Sequence, residues 1–123
     1  MRGRCAAMLR SRRRAHRLLL AATLLPALMA ACASERAPQR HVVEMSEFAF
    51  SPDTVRAAPG DTIVWINRDM VPHTATAAEG AWDSGAVAAQ GSWSHVAAVA
   101  GESAYLCTLH PSMTGVILVA EEE

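Results

Sequence analysis

The chain of 123 residues is 51% apolar and carries a formal net charge of −1, but both figures average two unlike parts. Seven of the eleven arginines fall within residues 1–17, which hold no acid, so everything after Cys32 has four arginines against twelve acids, a net charge of about −8. About ninety such residues are enough for one small domain. That domain lacks the basic footprint that a phosphate backbone needs, which excludes nucleic-acid binding, and its charge suits either plain solubility or a positively charged partner steered by long-range attraction.

Residues 1–31 read as an export signal. The arginine-rich start leads into the apolar run Leu18–Ala31, which is too short to span a bilayer. Ser11-Arg12-Arg13-Arg14 opens like a twin-arginine signal, but Ala15-His16-Arg17 does not continue that pattern, so the export route stays open. Leu28-Met29-Ala30-Ala31-Cys32 resembles a bacterial lipobox. That resemblance implies cleavage before Cys32, acylation of its sulfur, and a protein lipid-anchored to a membrane on the periplasmic or extracytoplasmic side. An ordinary signal peptide cut near Ala31 is the alternative. Residues 32–40 are then the lipidated cysteine and a polar tether, 41–120 the folded domain, and 121–123 an acidic tail.

Within the domain, short apolar runs separated by turn signals predict an all-β sandwich with no helix of useful length. Strands are expected at Val42–Glu47, Thr54–Ala57, Thr62–Asn67, His73–Ala78, Ser92–Val99, Ser103–Thr108 and Gly115–Ala120. Ser51-Pro52-Asp53, Ala58-Pro59-Gly60-Asp61 and Gly101-Glu102 mark turns, and residues 79–90 a loop around Trp82. Thr62–Asn67 has apolar residues on both faces, which predicts a central strand. Tyr105 and Cys107 fall on one face, so the thiolate points inward at a strand end. Trp65, Trp82 and Trp93 are expected in the core or at its edge.

The chemistry concentrates in Cys107-Thr108-Leu109-His110-Pro111-Ser112-Met113, which offers a thiolate, an imidazole and a thioether at intervals of three. Pro111 disfavours a helix there, so the run is a tight loop able to fold around one ion. Soft sulfur beside imidazole favours copper, and two His with one Cys plus a weak axial Met make an electron-transfer ligand set. The second imidazole has three candidates, His41, His73 and His95. His73 is preferred because Pro72 stiffens its approach, whereas His41 and His95 read as surface residues. The lone Cys107 of the domain, in a compartment where thiols normally pair, also calls for a metal.

Cys107-x-x-His110-x-x-Met113 with an upstream Pro72-His73 resembles the cupredoxins, the plastocyanin/azurin-like blue copper proteins, and among them the amicyanins. Phe48-Ala49-Phe50-Ser51-Pro52, the stretch Pro59–Asn67 and the stretch Gly101–Cys107 extend the likeness over nearly all of residues 41–120. The resemblance implies a Greek-key β-sandwich holding one copper ion that cycles between Cu(II) and Cu(I). It implies His73, Cys107, His110 and Met113 as ligands, single-electron transfer, and no substrate turnover. The chain departs from amicyanin-like sequences at Thr74, where they have Asn, and at Leu109, where they have Pro. The Asn position bonds across to the ligand loop and the sulfur, a role that falls here to the hydroxyl-bearing Thr74. Expected partners are redox proteins such as a cytochrome, a dehydrogenase or an oxidase, met by a monomer. Copper delivery or storage for another cuproprotein is the competing function, and a copper or zinc enzyme ranks last because Met113 fills the position that catalysis would leave open.

Overall fold

A computed structural model of the chain describes residues 36–121. The signal segment 1–31, Cys32, the start of the tether and Glu122–Glu123 lie outside the described residues. Among those described, eight strands occur and no helix: β1 (Arg40–Ser46), β2 (Ala49–Ser51), β3 (Thr54–Ala57), β4 (Asp61–Asn67), β5 (Thr76–Ala77), β6 (Ser92–Ala97), β7 (Gly101–Leu106) and β8 (Thr114–Val119). They form two four-stranded sheets, β2-β1-β4-β6 and β3-β8-β7-β5. β1 runs parallel to β4 and β3 parallel to β8, while the other pairs are antiparallel.

Alternation along the strands builds the core. Val43 and Met45 of β1, Val55 and Ala57 of β3, and Ile117 and Val119 of β8 are buried at every second position. β4 lies between β1 and β6, and its buried residues occupy both faces, consistent with the apolar pattern of Thr62–Asn67. Trp65 is fully buried at the centre, with Trp82 and Trp93 packed against it. Tyr105 meets Trp65 and Phe50 edge-on at 5.4 and 4.7 Å. Its ring crosses β8 where no side chain intervenes: a Cβ at Gly115 would overlap Tyr105 Cζ and Oη. Burial pushes the Tyr105 phenol up to about 12. Its hydroxyl and the Trp65 indole Nε1 are buried without a hydrogen-bond partner.

Two expectations for histidines are corrected. His95 is half-buried rather than exposed. The two-residue period places it on the Trp93 side of β6, where it stacks on Trp82 at 4.9 Å, burial pulls its pKa down, and Val96 is turned outward instead. His41 is no plain surface residue either, since its Nε2 lies 2.8 Å from the buried Asp61 carboxylate. Asp61 also accepts from Arg36 Nη2 at 2.7 Å and from the amides of Gln39 and Ala58 at 2.7 and 3.0 Å. Burial alone would push this carboxyl up, but those four bonds outweigh it and hold the group well below the usual carboxylate range.

β4 sets the long axis, about 20 Å from Asp61 to Asn67 at ~3.3 Å per residue. The Asn67 end leads into the link that carries His73. β7 runs in the same sense, because its Gly101 follows directly on the β6 end that pairs with Asp61, and Leu106 delivers Cys107 to the His73 end.

Candidate metal centre

Cys107 follows β7, and the loop after it closes on its own backbone. The Cys107 amide donates to Met113 O at 3.0 Å and the Met113 amide to His110 O at 2.9 Å. These two bonds turn the chain back within seven residues, bring His110 under Cys107, and lead directly into β8. Pro111, lacking an amide hydrogen, sits at the exposed tip where no donor is needed. Cys107 and Met113 are buried and His110 is partly exposed.

His73 lies on the link from β4 to β5, the strand that pairs with β7. The expected strand His73–Ala78 shrinks to the two residues of β5, because His73 pairs instead with Val87 of the following loop, amide to carbonyl in both directions at 3.2 and 2.7 Å. Asn67 braces this link, its amide nitrogen donating to Val71 O and Val87 O at 2.8 and 3.0 Å.

The ring nitrogens and the sulfur then converge. His73 Nδ1 lies 3.1 Å from His110 Nδ1, and Cys107 Sγ lies 3.9 and 3.7 Å from them. The point in their plane equidistant from all three is about 2.1 Å from each, close to the ~2.0–2.3 Å of metal bonds to imidazole and thiolate. His73 Nε2 donates to Asp69 Oδ2 at 2.8 Å, which fixes the tautomer and leaves Nδ1 a bare lone pair aimed at the centre. Two imidazoles and one thiolate, without a carboxylate, are a donor set for copper.

Thr74 ties the two ligand segments together. Its backbone amide donates to Cys107 Sγ at 3.3 Å, and its hydroxyl accepts from the Thr108 amide at 2.8 Å. The Thr76 and Thr108 hydroxyls lie 3.0 and 3.1 Å from that same oxygen. The sulfur is therefore bonded by main chain, and the side chain holds the loop.

Two residues at this centre carry no metal-ligand motif. Asp69 accepts from His73 and also from the amides of Glu47 and Phe48, at 2.9 and 3.1 Å, in the β1–β2 turn. The imidazole first, then the Phe48 and Glu47 amides, hold its carboxyl below the usual range. Both turn residues are left-handed, φ 53° and 60°, a conformation that hairpins usually give to Asn-Gly. The turn places Phe48 edge-on against both imidazoles, at 5.6 Å from His73 and 5.0 Å from His110. Phe48 is 53% exposed, and with Met70 at 84%, Leu109 at 50% and the more sheltered Val71 it gives this end an apolar surface.

Comparison with known proteins follows the same lines. Residues 38–120 match the copper binding proteins of the plastocyanin/azurin family. Amicyanin of Paracoccus denitrificans is 29% identical over 92 residues, 71% of this chain and 70% of that protein. A Cu(I) structure of an amicyanin mutant aligns with a TM-score of 0.63 at 27% identity, over 66% of this chain and 82% of that one. A copper-containing nitrite reductase from Thermus scotoductus aligns with a TM-score of 0.64 at 22% identity, over 72% of this chain but 24% of the enzyme, a likeness of fold alone. The chain thus belongs to the plastocyanin/azurin family of copper binding proteins, the cupredoxins, and copper is its metal.

Proposed function

We propose that the chain is a blue-copper electron carrier in which His73, Cys107, His110 and Met113 would hold the ion. The observation that carries this reading is the convergence of Nδ1, Nδ1 and Sγ into one triangle of bonding size. Bound copper supplies a one-electron couple between Cu(II) and Cu(I). The protein supplies constraint. Asp69 orients His73, the Thr74 amide steadies the sulfur, and the closed loop fixes His110 relative to Cys107. Ligands held this way need little rearrangement between oxidation states. The partly exposed His110, framed by Phe48, Val71 and Leu109, is the exit for the electron and the docking point for a redox protein.

Export and acylation of Cys32 complete the reading, placing a monomeric domain outside the cytoplasm on a lipid tether. Adding Cu(II) to the chain lacking residues 1–32 should give an intense visible band at one equivalent, and Cys107→Ala should remove it. A colourless one-to-one complex would sink the carrier reading. Cys32→Ser should move the chain from the membrane to the soluble fraction; retention with an uncleaved N-terminus would favour a signal anchor.

A further inference from the structure

Both ends of the domain expose apolar side chains, and the metal centre occupies only one of them. At the other end β6 passes into β7 through Ala98-Val99-Ala100, all exposed, with Val99 81% and Val96 51% accessible. Nothing in the proposed electron transfer uses this turn.

The turn stands on the Asp61 corner. Asp61 pairs with Ala97 across β4 and β6, and the Gly60 amide donates to Ala97 O at 2.8 Å. Of the four donors to the Asp61 carboxylate, three belong to Arg36, Gln39 and His41, the segment that connects the domain to Cys32. The chain is therefore fastened beside the exposed turn, at the end opposite the copper ligands.

We propose that this end, the Asp61-fastened segment together with the turn Val96–Ala100, is the face that rests on a lipid surface, so that the copper end points away from the membrane. The proposal rests on the lipid-anchor reading and adds an orientation to it. Four peptide steps separate Cys32 from Arg36, a reach of at most ~14 Å, whereas the length of β4 alone sets the metal end about 20 Å beyond Asp61. An acylated Cys32 accordingly brings the Asp61 end to the bilayer first. The exposed valines and alanines found there lose water on contact with the acyl boundary. A groove of about 390 Å³ beside the turn is lined by Trp82, Val96 and Val99 but also by Glu79 and Glu102, so the surface suits zwitterionic rather than anionic lipid.

The test uses the full chain, processed in cells, with copper reduced, in phosphatidylcholine vesicles whose acyl chains carry bromine near the headgroup. Val99→Trp adds an emitter at the proposed contact and Leu109→Trp adds one at the copper end. Bromolipid should quench the added emission of Val99→Trp at least three-fold more than that of Leu109→Trp. Equal quenching, or the reverse order, overturns the proposal. If Val99→Trp fails to fold, Val96→Trp carries the same expectation. The mass of the mature chain separates the two ideas. Acylated Cys32 with equal quenching refutes the orientation and leaves the anchor standing, while an unacylated chain refutes the anchor and this orientation with it.

Discussion

Asp69→Asn probes the bond network that joins the β1–β2 turn to the copper centre. The carboxylate serves three donors with two oxygens: His73 Nε2 and the Phe48 amide share Oδ2, and the Glu47 amide uses Oδ1. A carboxamide of the same shape has one oxygen, so its NH₂ must face at least one N–H. Losing one bond to a charged acceptor costs about 1.5–3 kcal/mol. The loss falls on a turn whose two left-handed residues are themselves strained by ~1–3 kcal/mol each. If the amide keeps His73 and abandons Glu47, the turn loosens and Phe48 leaves the imidazoles. If it keeps Glu47 instead, the Phe48 amide loses its acceptor together with His73, which loses its tautomer lock. Either way copper binding suffers, by the 10–100-fold typical of residues that orient metal ligands, about 1.4–2.7 kcal/mol. Competition against a chromophoric chelator reads the affinity, and guanidinium denaturation of the copper-free chain reads the fold. An Asn variant that loses 2 kcal/mol of stability yet binds copper within two-fold of wild type would refute the coupling and confine Asp69 to the turn.

Met113→Leu should keep the copper-thiolate colour and raise the midpoint potential, measured by redox titration, because a weak axial ligand tunes the couple more than it holds the metal; an unchanged potential counts against Met113 as a ligand. Gly115→Ala should destabilise the domain by ~1–3 kcal/mol in denaturant, since the new methyl overlaps the buried Tyr105 ring, and a loss below about 0.5 kcal/mol would mean that the ring moves freely. Asp61 predicts an acid limb. Its folded pKa lies below the unfolded value of about 3.9, so its stabilisation is complete above that value and drains away as pH falls through the folded one. Asp61→Asn should flatten that limb in thermal melts recorded from pH 6 downward, and an unchanged slope would mean that other carboxylates govern it.

The Cys107–Met113 loop was legible because every donor falls within seven residues and Pro111 rules out the helical alternative. His73 was legible from Pro72, a local constraint. Asp69 was not, because its partners Glu47 and Phe48 are 22 and 21 residues distant and carry no turn signature: a Glu-Phe pair in left-handed backbone looks like strand in a sequence. The same blindness hid β2, of whose three residues only Ser51 falls in the expected turn Ser51-Pro52-Asp53 and none in an expected strand, and cut β5 to two, since the pairing of His73 with Val87 depends on where the later loop comes to rest. The Asp61 corner fails for a related reason. Pro59-Gly60-Asp61 announces a turn, but nothing local announces that Arg36, Gln39 and His41 will return to that carboxylate.

The pairing of β1 with β4 and of β3 with β8 sets a clock on the thiol. Parallel partners so distant in sequence close late, because the intervening chain must be ordered before their contacts form, and sandwiches of this kind fold in milliseconds to seconds. Only the hairpins β1–β2 and β7–β8 join near neighbours, and β7–β8 forms the Cys107 loop without His73. During that interval the sulfur is an accessible thiol with one imidazole beside it, open to oxidation or to pairing with another chain. Once the second imidazole docks and the sulfur is fully covered, the hazard ends. Yield of active protein should therefore depend on how fast the sandwich closes relative to how oxidising its surroundings are, and a variant that is stable but slow to fold would be lost to sulfur chemistry before copper reached it.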